Sequence, residues 1–486
     1  MIKKLIPVFL AIFLLLSSCD IAEIENLDEE IATENAIRPN NSVFGVAFAS
    51  NESADPYTTS NKLNSELLRL ITEPLFSVSA DFAARPELCE SYTYEDKTYV
   101  FKIKSGVTFS DGSALSPRDV EYSLRAAAEA SSFYSNTLSI IESISSSKKD
   151  GTVTVRLKYD NARFPRLLDI PVIKEGTRGE KLPIGTGLYS PKDDFSSLVL
   201  RENHHSGRIP PYSVISLVDV ASTDELLFEF DNHTVSVLTS DPTASSSLTP
   251  LSASEITDVN TTRMHYIGFN MRKGVFADAA VRLTIAKAID RESAAKNDFA
   301  LMGTPATLPL HPFSSSYPTE IAGNLTYDSN IRLSLEKPIE LLVNSESTGK
   351  LAVCKRISET LTRLGAPCTV RALPFNEYAA SLSRGDFDLY YGEVALGADF
   401  DLTRLLQGPL NYGAYYDAEL TSLHSAYLSG DEGLDAFFRL FCKKLPFLPI
   451  MFKNTVMYTQ QGFFEKSSPT PQNTYNDFFE WKKREF

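Results

Sequence analysis

The chain is poor in cysteine and tryptophan: five and one in 486 residues. No CxxC pair and no metal-ligand spacing accompanies the cysteines, which excludes zinc-ribbon and thioredoxin-like chemistry. Positive charge is also in deficit. The chain has 62 acidic against 47 basic side chains, a net charge of −15, and gives no electrostatic footprint for nucleic acid. There is no P-loop, no GxSxG elbow and no HExxH, and Gly185-Thr186-Gly187 lacks the third glycine of a dinucleotide fingerprint. An enzyme, a cofactor and a resident metal are therefore not expected. His204-His205 reads as a surface loop, because adjacent side chains on a strand point to opposite faces. After the first 18 residues no apolar run approaches the ~20 residues of a membrane span.

What is present begins with a leader. Lys3 and Lys4 precede the apolar run Leu5 to Leu16, which suits a signal sequence. Leu16-Ser17-Ser18-Cys19 resembles a bacterial lipobox, which implies removal of residues 1–18 and lipidation of Cys19. Residues 19–41 contain DIAEIENLDEEIATE, without a basic residue, and read as an acidic tether. The remaining length exceeds the ~250–300 residues at which one core stops growing, so two or more lobes are expected.

The globular part starts with Val43 to Phe48, an apolar run that reads as a buried strand. Leu63 to Phe76 carries Leu63, Leu67, Leu70 and Ile71 on one helical face and stops at Pro74. Tyr99, Phe101 and Ile103 alternate as on a half-buried strand. Asp111-Gly112 makes a turn, and Ser116-Pro117 opens a helix with Asp119 placed for a capping box. Residues 77–181 look mainly antiparallel. Alternating strand and helix then return. Ile339 to Val343, Lys350 to Leu364, Thr369 to Leu373, Phe375 to Leu382 and Phe387 to Tyr391 read β-α-β-α-β, which predicts a largely parallel sheet in each lobe. Cys89, Cys354, Cys368 and Cys442 are expected as free thiols, with Cys354 near the start of a helix and Cys368 at its far end, about 15 Å away at 1.5 Å per residue.

Several segments, in order, resemble family 5 of the bacterial extracytoplasmic solute-binding proteins, the dipeptide/oligopeptide/nickel class serving ABC importers. Gly106, Val107, Phe109, Asp111, Gly112, Asp119 and Val120 match its G-V-x-F-x-D-G and x-x-D-V block. Pro183 to Tyr189 resembles P-x-G-T-G-P-Y, with Leu188 in place of proline. Gly268-Phe269-Asn270, Val281 to Glu292, Gly303 to Ala306 and Phe387-Asp388-Leu389 follow.

The resemblance implies an α/β, two-lobed periplasmic-binding-protein-like fold with hinged lobes and an inserted, mainly antiparallel subdomain. The expected layout is lobe I at 42–266, with the insert at about 77–181, lobe II at 267–451, and a return to lobe I at 452–486. The crossings are placed near Met264 to Asn270 and Leu448 to Thr455. The implied role is a lipid-anchored, extracytoplasmic, monomeric receptor. It would capture an oligopeptide or similar small solute and pass it to ABC permease subunits. A metal chelate or oligosaccharide is the alternative cargo; a structural or hydrolytic surface lipoprotein is the alternative class.

By position, the resemblance puts the first-lobe contact at Ser60, Asn61 and Lys62. The second-lobe contact falls at Glu393, Val394 and Ala395, just after Tyr391. In peptide-binding members a carboxylate holds the ligand α-amine. Aligned from upstream that carboxylate falls on Gly397, and from downstream on Ala398; Asp399 fits with a gap. Asp399 and Asp401 have a competing reading as caps of the helix Leu402 to Leu406, and Glu393 is a substitute partner for a cation. Arg404 could pair with a ligand carboxylate, but a bridge to Asp401 is the favoured reading. Tyr390, Tyr391, Tyr412, Tyr415 and Tyr416 are further candidates for the cleft wall.

Overall fold

The computed structural model describes residues 42–484 except 245 and 336. The expected leader, Cys19 and the acidic tether lie outside the described residues. Among the described residues no helix is long and apolar enough to cross a membrane.

The first strand, Phe44–Phe48, is buried along its whole length and pairs in parallel with Val214–Asp219. The following helix, Lys62–Ile71, buries Leu67, Leu68, Leu70 and Ile71, and the Asn61 side chain caps it by accepting from the Asn64 N–H. It stops before Pro74, because Glu73–Pro74 pairs instead with Pro171–Val172. Gly185 and Gly187 let a loop lie on the end of this helix. A Cβ at either would fall 2.1 Å from the Ile71 carbonyl oxygen or 2.4 Å from its carbon, distances no side chain tolerates. Phe44, Leu67, Tyr189, Tyr212, Phe478 and Trp481 fill the core of this lobe.

The insert is a four-stranded antiparallel sheet, with Cys89–Glu95, Thr98–Ile103, Thr152–Leu157 and Ile141–Ser147 as successive neighbours. Helix Pro117–Ala128 covers one face through Val120, Leu124 and Ala127, and meets Tyr99, Phe101, Val153 and Val155. Its cap rests on Asp119, whose carboxylate accepts from the Ser116 N–H at 2.9 Å and hydroxyl at 2.6 Å. The core also draws in Tyr57, Leu75 and Phe76 from before residue 77. Arg201 ties the two glycine-bearing motifs together by donating to the carbonyls of Thr108, Phe109, Thr186 and Gly187. These motifs thus have a structural role that their spacing alone does not reveal.

The sheets are mixed rather than largely parallel. In the second lobe Ile339–Asn344 lies between Cys368–Leu373 and Leu389–Ala395, parallel to both, as the β-α-β-α-β pattern predicts. Beside them run two long antiparallel strands, Ser254–Phe269 and Phe447–Gln460. In the first lobe Tyr189–Pro191 and Ser197–Leu200 are antiparallel, because the short link between them permits only a hairpin. The long strands join the two cores. Their outer halves pair with each other and with Val237–Ser240 beside the first core. Phe269 and Phe447 belong to the second core, with Leu341, Val343, Tyr390 and Phe441. The register slips between Asn260 and Met264, and such a bulge bends a long strand.

Candidate ligand site

Strand Leu389–Ala395 is paired with Arg263–Phe269 along its full length. On its other side, Ile339–Asn344 reaches only Leu389 and Tyr390. Successive residues of a strand present their backbone groups to opposite neighbours. The Leu396 N–H donates to the Thr262 carbonyl, and the Tyr391 carbonyl accepts from the Tyr378 hydroxyl at 2.8 Å, on the far side. The even-numbered residues therefore face the paired strand. The backbone groups of Tyr391, Glu393 and Ala395 face the side where, among the described residues, no strand continues.

The loop after this strand carries the carboxylates. Phe400 adopts φ +54, a left-handed conformation costing on the order of 1 kcal/mol or more. Burial of its ring against Phe82 and Phe452 holds it there. Gly397 cannot carry a side chain, because a Cβ would sit 2.4 Å from Asp399 Oδ1. Ala398 and Asp399 are both buried.

Asp399 accepts from Asn161 Nδ2 of the insert at 2.8 Å. Asp401 accepts from the Tyr159 hydroxyl at 2.7 Å. It also caps the short helix Thr403–Leu406 by accepting from the Thr403 N–H at 2.7 Å and hydroxyl at 2.6 Å. The same stretch of the insert holds the second lobe at two more points. The Ala162 N–H donates to the Leu428 carbonyl, and Arg163 donates to the Tyr427 carbonyl while lying over that ring. A narrow cavity of about 70 Å³ remains between insert and loop, with Ile140, Tyr159, Val394, Asp399, Asp401 and Arg404 in its walls.

The charges differ sharply along this loop. Burial, and then the neighbouring Asp401 carboxylate, push Asp399 up to about 7. Burial also opposes ionisation of Glu393, but His265, Lys350 and Arg263 outweigh it and bring Glu393 down to about 2. Lys350 Nζ is 2.5 Å from Glu393 and Arg263 Nη1 is 2.6 Å. Burial holds His265 at about 3, so the lysine and arginine supply the positive charge at neutral pH. Burial likewise lowers His424, 3.6 Å from Asp401, to about 4. Neutral imidazole Nε2 accepts from the Leu402 N–H at 3.1 Å.

The predicted residues are placed as follows. Val394, Ala395, Asp399 and Asp401 gather around the cavity. Tyr391 is fully buried, with its hydroxyl 3.1 Å from His265 Nδ1 and its carbonyl taken by the Tyr378 hydroxyl, and it lies outside the walls of this cavity. Glu393 is occupied by its cations. Ser60, Asn61 and Lys62 lie at the start of the first-lobe helix, outside the walls of this cavity. Arg404 makes no bridge to Asp401; it is exposed in the cavity wall. Tyr390 is buried against Tyr266. The four cysteines are free and buried. His204 and His205 do not diverge: both turn to Glu73, because they lie in a turn rather than on a strand. Asn161, Tyr159 and Lys350 escape sequence reasoning, since nothing local marks a residue whose partner lies 238, 242 or, for Lys350, 43 positions away.

Residues 83–405 match the family model of bacterial extracellular solute-binding proteins, family 5. The chain belongs to that family. It is 27% identical over 248 residues to the oligopeptide-binding protein AppA of Bacillus subtilis (strain 168), covering 46% of this chain and 45% of that protein. It is 24% identical over 294 residues to the glutathione-binding protein GsiB of Escherichia coli (strain K12), covering 56% and 57%. The matched stretch thus spans about half the length of these relatives. The unliganded open form of the periplasmic murein tripeptide binding protein MppA superposes with a TM-score of 0.71 at 14% identity, over 91% of this chain and 98% of that one. The two-lobed fold with an inserted subdomain is that of the family.

Proposed function

We propose that the protein is the lipid-anchored receptor of an ABC importer, tethered through Cys19 outside the cytoplasmic membrane, and that it captures short peptides between its lobes. The observation that carries this reading is the half-paired strand. Beyond Tyr390 its outer edge offers the backbone groups of Glu393 and Ala395 to an extended chain. Strand addition recognises backbone rather than side chains, so it tolerates many sequences. Asp399 then takes the ligand α-ammonium, in place of or beside the Asn161 amide. A carboxylate that lacks a cationic partner and is held near 7 by burial gains most from an incoming positive charge. Val394 contributes an apolar wall. Ser60 to Lys62 offer the first-lobe contact, and Asp401 braces the loop through Thr403 and Tyr159. The oligopeptide- and glutathione-binding relatives support this class of cargo.

The present cavity of about 70 Å³ is far below the ~300 Å³ of an ordinary ligand site. Peptide entry therefore requires the lobes to part and to close again on the guest, with contacts to both favouring the closed form. Native mass spectrometry of the purified protein tests the reading. A ladder of co-purifying peptides of mixed sequence is expected. A metal chelate or a sugar in their place would overturn the peptide assignment, and turnover of a peptide panel would overturn the receptor role.

A further inference from the structure

A second cluster stands on the first lobe, and none of its members lines the Asp399 cavity. Glu73 follows the Lys62–Ile71 helix. His204 and His205 sit in the turn after strand Ser197–Leu200. His205 Nε2 is 2.8 Å from Glu73 Oε2, and His204 Nε2 is 3.5 Å from the same oxygen. One donor atom from each of the three residues lies within 4.8 Å of the others. The imidazole rings are 4.4 Å apart, centroid to centroid.

We propose that Glu73, His204 and His205 form a binding site for a borderline divalent transition metal of the zinc or nickel kind. Two imidazole nitrogens and one carboxylate oxygen suit such ions; calcium and magnesium prefer all-oxygen sets. Ligand bonds of ~2.0–2.2 Å at tetrahedral angles put neighbouring donors about 3.3–3.6 Å apart. The 3.5 Å spacing already meets this, and the 2.8 Å contact has only to lengthen slightly. In the structure His204 Nδ1 accepts from the Ser206 N–H at 3.3 Å, so the neutral ring carries its proton on Nε2; moving that proton to Nδ1, where Ser206 Oγ stands 2.8 Å away and can accept it, frees Nε2 as a ligand. His204 Nε2 also lies 2.9 Å from the Thr186 carbonyl oxygen. There Nε2–H donates to the carbonyl, and this hydrogen bond is given up when the proton moves to Nδ1 and the metal takes its place. His205 borders an open hollow with Ser105, Lys104 and Arg208, which gives ions and a completing water a route in.

The ion would join the end of the first-lobe helix to the 204–205 turn, and so act on stability rather than as cargo. The test uses the full chain stripped with chelator and dialysed. Zn²⁺ titrated by calorimetry is expected to bind with one-to-one stoichiometry and to raise Tm, whereas Mg²⁺ does neither. Co²⁺ is expected to give visible bands typical of a four- or five-coordinate site. His205→Ala and Glu73→Gln should each weaken Zn²⁺ binding at least about 100-fold and remove the Co²⁺ bands, while Asp399→Asn leaves both intact. Glu73→Gln keeps the shape of the side chain, so it provides a folded variant if His205→Ala melts early. Absence of Zn²⁺ binding below millimolar concentration overturns the proposal. So does stoichiometric binding that survives in Glu73→Gln, or binding lost in Asp399→Asn but not in the cluster variants.

Discussion

Glu393 and Asp399 are six residues apart, both in or beside the second-lobe contact, and their surroundings are opposite. Glu393 is enclosed by Lys350 and Arg263 and lowered to about 2. Asp399 meets the Asn161 amide and the Asp401 carboxylate, has no basic partner, and is raised to about 7. One carboxylate is already neutralised by the protein; the other still lacks a counter-charge. The difference separates a carboxylate already paired with Lys350 and Arg263 from the one proposed to hold a cationic guest.

The largest expected effect breaks the first half of this pair. Glu393→Gln leaves the largely buried Lys350 ammonium uncompensated. Breaking a buried pair from one side costs on the order of 3–5 kcal/mol. Denaturant unfolding should show a loss of this size, and a loss under about 0.5 kcal/mol would mean that the pair is effectively solvated.

The next effect is on binding. Asp399→Asn is isosteric and its Oδ1 still accepts from Asn161, so folding is preserved. A charge-assisted hydrogen bond is worth about 1.5–3 kcal/mol, so free-amine peptides should bind roughly 10- to 100-fold more weakly. N-acetylated peptides should be little affected. Equal losses for both by calorimetry would remove Asp399 as the ammonium partner.

A smaller effect appears on changing pH. Asp399 rises from an ordinary 3.8 to about 7, so its contribution to stability is complete below about 4 and is lost as pH rises through about 7. Glu393 falls from 4.5 to about 2, so its contribution is complete above about 4.5 and is lost as pH falls through about 2. The unliganded wild type should therefore lose Tm relative to Asp399→Asn between pH 5 and pH 8. An unchanging difference between the two proteins would show that Asp399 does not titrate in that window. An ammonium ligand favours the ionised form, so peptide binding near pH 6 should release a proton, which calorimetry in buffers of different ionisation enthalpy detects.

Much of the frame was legible in the chain. The 3.6-residue spacing of Leu67, Leu70 and Ile71, the alternation of Tyr99, Phe101 and Ile103, and the strand-helix alternation from Ile339 to Tyr391 all correspond to elements of the fold. These patterns are local, and local burial produces them. Sheet direction was less legible. Whether Ser197–Leu200 runs parallel or antiparallel to its neighbours depends on pairing across the chain. Of the candidate site only a neighbourhood was legible: Val394, Ala395, Asp399 and Asp401 line one cavity, as their closeness in sequence suggests. Their electrostatic roles were not, because Asn161, Lys350 and Arg263 come from three distant segments. His204 and His205 show the same limit. A strand rule sends them apart, but the turn they occupy sends both to Glu73.

The smallest effect sharpens the comparison from the ligand's other end. Arg404 is exposed in the cavity wall and forms no bridge with Asp401, so within this site it is the cation that a ligand carboxylate can meet. Exposed ion pairs contribute about 0.2–1 kcal/mol, so Arg404→Gln should weaken binding of short free-acid peptides no more than about fivefold. It should leave C-terminally amidated peptides unchanged, and added salt should shrink the difference, as screening requires. If amidated and free-acid peptides respond alike, the ligand's carboxylate lies elsewhere. The acid–base complementarity of the site then reduces to Asp399 alone, and the strand edge from Glu393 to Ala395 carries the rest of the affinity through backbone hydrogen bonds.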